Sequence, residues 1–148
     1  MTKALRLLAI LLTAIAMIAG WAHLLALPNK IGLDRDDYLI VQQIYRGWAL
    51  LGIVVICALL ATAALAVLQR GSGAAFYFTL GATLCIALNL VVFFSFTFPA
   101  NQATQNWTVL PQGWEALRRR WEYSHAAGAI LTFIALAMLA SSLIFGRR

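Results

Sequence analysis

Four uninterrupted apolar stretches, each about as long as a bilayer core is thick, constrain this chain more than anything else in it. They cover roughly residues 4–27, 48–68, 74–98 and 124–145, and a helix needs about 20 apolar residues to cross the hydrocarbon. Lipid offers an exposed backbone no hydrogen-bonding partner, so separate segments of this kind must be α-helical. Composition agrees: 63% of residues are hydrophobic and 11% charged, with a mean hydropathy of +0.85. A soluble domain has about 45–50% apolar and about 25% charged residues. The expected fold is all-α, an integral membrane antiparallel four-helix bundle, with residues 1–148 as a single four-span domain.

Lys3 and Arg6 precede the first stretch as they would in a signal peptide. Its apolar run is too long for one, however, and reaches Pro28 without a small-x-small cleavage pattern. It reads as a retained helix. With four spans, the tails and the second loop share one side and carry Lys3, Arg6, Arg70, Arg147 and Arg148. The other side carries Lys30, Arg35, Arg46, Arg118, Arg119 and Arg120, together with all five acidic residues. The short, uncompensated basic tails place both termini in the cytoplasm of a bacterial inner (plasma) membrane. The formal charge of +6 then sets topology and meets lipid headgroups, and no nucleic acid is expected as a partner. The expected partners are the lipid bilayer and a hydrophobic small molecule, with a homo-oligomer as a further possibility. Cys57 and Cys85 stand alone in two spans, without CxxC spacing, and read as small packing residues.

The first and third loops carry helical extensions. Asp34 suits an N-cap, Asp36 and Asp37 fall in the first turn where the helix dipole favours carboxylates, and Tyr38, Gln42, Tyr45 and Ala49 then share a face. In the third loop Pro111 suits a first helical position. Trp114, Arg118, Trp121 and His125 follow at spacings of four, three and four residues, one face of one helix. Each extension is expected to run on into the next span. Gly71, Ser72 and Gly73 predict a tight turn that makes the second and third spans a hairpin.

The two histidines of the chain, His23 and His125, fall at the same membrane boundary in this topology. Ionisable groups in spans are rare and face a bundle interior or a cavity. Glu122 and His125 form an ExxH pair, the i, i+3 arrangement of bundle metal sites, although the second ExxH of a di-iron centre is missing. Three readings stay open: a metal on His23, His125 and Glu122; a haem between the two imidazoles; or no cofactor, with His125 bonded to a neighbour and Glu122 paired to Arg118. Asn101, Gln102, Gln105 and Asn106, next to Trp107, offer donors and acceptors that can orient a flat ligand, or cap and turn the chain. Asn89, deep in the third span, reads as an interhelical hydrogen-bonding residue.

The four-span layout, the Asn101 and Asn106-Trp107 loop, and the following Trp114, Arg118, Trp121 and His125 resemble the anthrone oxygenase-like membrane proteins, a family otherwise largely of unknown function. The specific residues are concentrated within residues 101–125. Fungal members are associated with oxygenation of polycyclic anthrones to anthraquinones without an evident bound cofactor. The resemblance implies a catalytic pair, His125 as the base and Arg118, with nearby amides, as the stabiliser of the resulting enolate. Substrate contacts are expected from Asn101, Asn106, Trp107, Trp114, Trp121 and Tyr45. The expected function is a membrane oxygenase-like or related redox enzyme acting on a hydrophobic aromatic or quinone-like molecule. The alternative is a non-enzymatic membrane subunit that binds a lipid, a quinone or a partner membrane protein. A channel or transporter is a weaker third reading, since the spans hold too few polar residues for a continuous path.

Overall fold

The computed structural model describes residues 2–146. Helix α1 spans Thr2–Lys30 and α2 spans Arg35–Gln42, followed by single 3₁₀ turns at Gln43–Tyr45 and Trp48–Leu50. Then come α3 (Leu51–Leu68), α4 (Ala74–Val92), a π-helical turn (Phe93–Thr97), α5 (Phe98–Ala103) and α6 (Trp114–Phe145). Among the described residues there is no strand. Four helical segments, Lys3–Lys30, Trp48–Leu68, Ala74–Ala103 and Trp114–Phe145, are long and apolar enough to cross a membrane. They close a ring in which α1 meets α3, α3 meets α4, α4 meets α6 and α6 meets α1. This is the all-α four-helix bundle that the apolar pattern predicts.

Small residues let the helices approach where lipid gives no hydrophobic drive to associate. A Cβ on Gly20 of α1 would lie 3.1 Å from the backbone of Ala129 on α6. Ala58, Ala82, Ile86, Ala135 and Leu139 fill the middle of the ring. Leu7, Ile18, Leu60, Leu84 and Ile144 point outward and are exposed. Some buried hydroxyls are satisfied within their own helices, as in Thr13 Oγ1 to the Ala9 carbonyl (2.7 Å) and Thr132 Oγ1 to that of Gly128 (2.8 Å), while Thr97 and Ser124 pair across elements at 2.6 Å. At the end where α3 turns into α4, Gly71 and Gly73 take φ of +85° and +56°, as a tight turn requires. There the buried Gln69 amide lies 2.6 Å from Thr79 Oγ1 and, with its oxygen toward α1, accepts from Arg6.

Three boundaries differ from the sequence expectation, and all three shape the opposite end. Helix α1 continues through Pro28 to Lys30. Proline deprives only one carbonyl of its partner so near a helix end, and the extra residues carry Lys30 inward. The third span passes 98 and reaches Ala103, because the wider π turn ahead of Pro99 absorbs the missing donor. The first extension does not run on into its span: Gly47, at φ +86°, breaks it, so α2 is a separate helix. The second extension does run on, as 32 unbroken helical residues of α6. Pro111 is not its first residue; helix α6 starts after Gly113 (φ +75°), and the Trp114 N–H donates to the Pro111 carbonyl at 3.1 Å.

Candidate functional site

Helix α2 starts at Asp34, whose carboxylate accepts from the Asp37 N–H at 3.0 Å. Two arginines then tie this cap to the bundle. Arg118 of α6 donates to the Leu33 carbonyl at 2.6 Å, and Arg35 donates to the Leu110 carbonyl at 3.0 Å. Between them Tyr38, Trp107, Leu110, Trp114 and Trp121 form an aromatic core of their own. The cap is therefore a second, polar-edged core seated on one end of the ring.

Beneath it lies a buried chain of charged and polar groups. Lys30 Nζ stands 3.0 Å from Glu122 Oε2, with both side chains all but fully buried. The Tyr38 hydroxyl donates to the other Glu122 oxygen at 3.0 Å. Burial, and then the neighbouring carboxylate, push the Tyr38 hydroxyl well above its ordinary range, so it stays a neutral donor. On its far side Lys30 Nζ lies 3.3 Å from His23 Nδ1 and over the rings of Tyr45 (4.7 Å) and Trp121 (5.3 Å). A buried ion pair with so many further partners meets the condition under which such pairs are tolerated.

The two imidazoles lie side by side with ring centroids 4.2 Å apart, His23 against Tyr45 (4.1 Å) and both against Trp121 (4.7 and 4.2 Å). Their partners assign opposite tautomers. An ammonium can only donate, so His23 Nδ1 accepts from Lys30 and its Nε2 carries the proton. A carbonyl can only accept, so His125 Nδ1, 2.9 Å from the Trp121 carbonyl oxygen, carries the proton there and leaves Nε2 a free acceptor. The pair thus presents one donor and one acceptor. Both rings border a cap cavity of about 450 Å³ that Tyr45, Trp48, Asn101, Asn106 and Trp107 also line. His125 and Trp48 further border a second, apolar cavity of about 340 Å³ among the four long helices.

The loop after α5 is held over this site by Asn101, whose Oδ1 accepts from both indole N–H groups, Trp121 at 2.7 Å and Trp107 at 3.1 Å. Gln105, Asn106 and Trp107 take φ of +49°, +57° and +60° in succession. Asparagine tolerates the left-handed region; glutamine and tryptophan rarely enter it. Thr104 holds the turn: its hydroxyl accepts from the Trp107 N–H (3.1 Å) and donates to the Ala100 carbonyl (2.8 Å). Strain of this kind gathers at binding sites.

Of the residues singled out in the sequence, His23, His125, Trp121, Asn101, Asn106, Trp107 and Tyr45 do converge on the cap cavity. Arg118 and Trp114 do not border it. The Arg118 guanidinium stacks on Trp114 (4.5 Å) and Tyr38 (5.3 Å), with its charge spent on the Leu33 carbonyl. The cation beside the imidazoles is Lys30, which also takes the carboxylate expected to pair with Arg118. His23, His125 and Glu122 do not form one ligand set, because both Glu122 oxygens turn to Lys30 and Tyr38. Among the described residues no group of three or more His, Cys, Asp or Glu could hold a metal ion. Imidazoles on opposite faces of a haem, with metal–nitrogen bonds of about 2 Å, would stand about 6 Å apart between centroids, and these stand 4.2 Å apart. Asn89 lies over Gly128 and lines the apolar cavity.

Sequence reasoning missed Lys30 and Gln42. The spacing of seven from His23 to Lys30 keeps both on one helical face, a signal that was available. Gln42, one turn after Tyr38, is buried beside the cap cavity, and its Nε2 has no hydrogen-bond partner. No protein-family model, curated protein or solved structure matches this chain.

Proposed function

We propose that this chain is an oxygenase-like or related redox enzyme of the plasma membrane, with both termini cytoplasmic, that binds a flat phenolic or quinone-like ring in the cap cavity. The observation that carries this reading is the complementary imidazole pair at the cavity wall, a donor on His23 and an acceptor on His125. A ring bearing a carbonyl or phenolate oxygen and an acidic hydrogen matches both. His125 Nε2 takes the proton and acts as general base. His23 Nε2–H, backed by the Lys30 cation, steadies the oxygen on which negative charge develops, the role that the resemblance implies for Arg118. Dioxygen then adds to the carbanion, and a ring CH₂ with O₂ becomes C=O with H₂O. The basic tails and second loop support the orientation.

The test uses the full chain in nanodiscs with anthrone and a tail-free benzoquinol as probes, reading tryptophan quenching for binding and oxygen uptake for turnover. His125→Ala should lower oxygen uptake by about 100-fold or more while binding persists, and His23→Ala should weaken binding itself. Turnover by His125→Ala at the wild-type rate would overturn the assignment of the base. Binding without oxygen uptake by the wild type would leave a non-enzymatic ring-binding subunit.

A further inference from the structure

The cap cavity and the apolar cavity adjoin. Both are bordered by Ala19, Trp48, Ala49, Phe93 and His125, so the imidazole stands at their junction. Their walls differ in chemistry. The cap side carries the imidazole pair, amides and indoles, whereas the lower side is built from Ala16, Gly20, Ile53, Val55, Phe94 and similar residues, with Asn89 as its one amide. The lower cavity is also not closed. Of its lining residues, Gly52, Ile53 and Ile56 of α3 and Phe94 of the π turn are exposed. They mark an opening on the α3–α4 side, toward the face that a bilayer would cover.

We propose that the ligand carries a hydrocarbon chain as well as a ring, and that it arrives from the bilayer between α3 and α4. Its chain occupies the apolar cavity while its ring sits against His23 and His125. This rests on the reading of the cap cavity as a ring site. A compact ring would need the cap cavity alone; an apolar chamber that shares walls with the ring site and has exposed lining residues on α3 and the π turn suits a ring with a tail. In lipid, moving a chain from the bilayer into this chamber exchanges one hydrocarbon surrounding for another, so the chamber supplies room more than affinity. The consequence is steric: filling the chamber should exclude ligands with tails and spare those without.

Gly52 allows that experiment. A Cβ there meets nothing within 4 Å, and Gly52 lies in the first turn of α3 with φ outside the positive region, so a side chain adds bulk without backbone strain. Gly52→Phe narrows the chamber, and Ile56→Trp narrows its mouth. The probes are two benzoquinones with the same ring, one methylated and one bearing a two-isoprene chain, with concentrations referred to the lipid phase. The wild-type chain should bind both within about threefold, and each variant should weaken the tailed quinone about tenfold or more and the tail-free one by no more than about twofold. Equal binding of the tailed quinone by the wild type and both variants would overturn the proposal. A photoactivatable diazirine on a plain alkyl chain gives a readout independent of the ring. It should label residues of the chamber in the wild type and label them at least about threefold less in Gly52→Phe. Chamber labelling without binding of either quinone would sustain the chain site and sink the ring site; uniform labelling of the lipid-facing helices would sink the chain site.

Discussion

The two ends of the bundle bury polar groups in opposite ways. Toward the end formed by the α3–α4 turn, Thr13 and Thr62 return their hydroxyls to their own helices, and the contacts between elements run through hydroxyls and one amide, Thr79 with Ser142 at 3.4 Å and Gln69 between Arg6 and Thr79. At the capped end the buried groups include a lysine, a glutamate and an arginine that find partners on other elements, and a histidine held by that lysine. Among the described residues, the buried side-chain atoms that lack a hydrogen-bond partner, Trp21 Nε1, Gln42 Nε2 and Arg118 Nε, also belong to this half; Glu122 Oε2 is met by the Lys30 ion pair. Hydroxyls that bond within one turn hold a helix together but specify nothing about its neighbours. Charges that must be matched across elements fix the arrangement of those elements. One end is held by packing, the other by matched charge.

The sharpest way to break this contrast is to unpair Lys30. Lys30→Ala leaves Glu122 buried and uncompensated and should cost about 3–5 kcal/mol, read as a loss of thermal stability in detergent. Replacing Lys30 with Met, Tyr38 with Phe and Glu122 with Leu together should recover most of that loss, since an apolar substitute for a buried ion pair is often neutral. A small effect for the single variant would erase the distinction between the two ends.

Arg118→Leu should cost about 2–3 kcal/mol, because it strips the Leu33 carbonyl of a charged donor. Arg119→Leu, one residue on and exposed, should change stability by less than about 0.5 kcal/mol. Equal effects would mean that the cap is not anchored through this face. Asn101→Leu deprives two indole N–H groups of one shared acceptor and should cost about 2 kcal/mol. A blue shift in tryptophan emission should accompany it.

Tyr38 sharpens the comparison through pH. Its raised pKa means that above about pH 10 the unfolded chain sheds a proton that the native state keeps. The ionisation of Tyr38 should therefore leave stability unchanged below that pH and lower it by about 1.4 kcal/mol per pH unit above it. Tyr38→Phe should remove this slope, and an unchanged alkaline profile would place the hydroxyl outside the buried network. A small effect is also expected away from the cap, where Thr13→Val removes only a bond to the helix's own carbonyl and should cost less than about 1 kcal/mol.

The bundle was legible because span length and apolar content leave lipid-facing backbone no alternative to helix. The convergence of His23 with His125, and of Asn101 with Trp107 and Trp121, followed from equal depth in a four-span topology. What escaped was decided by single-residue geometry. Taking Pro28 as the end of α1 left Lys30 outside, and two more helical residues turned it into the central cation. The regular spacing of Trp114 and Arg118 with His125 established a shared face, but not that the cap covers the upper half of that face while the cavity borders the lower half. Nothing in the residue types of Gln105 and Trp107 announces a left-handed backbone; the Thr104 and Asn101 bonds impose it.

The Lys30–Glu122 pair joins the first long helix of the chain to the last. A chain made from its N-terminus carries that lysine through most of its synthesis before the matching carboxylate exists. Until α6 exists the ammonium has no carboxylate to meet, and the Tyr38 hydroxyl has none to bond. The ion pair and the imidazole pair therefore share one dependence on chain order: both need α6, and neither can form in a product interrupted before residue 122.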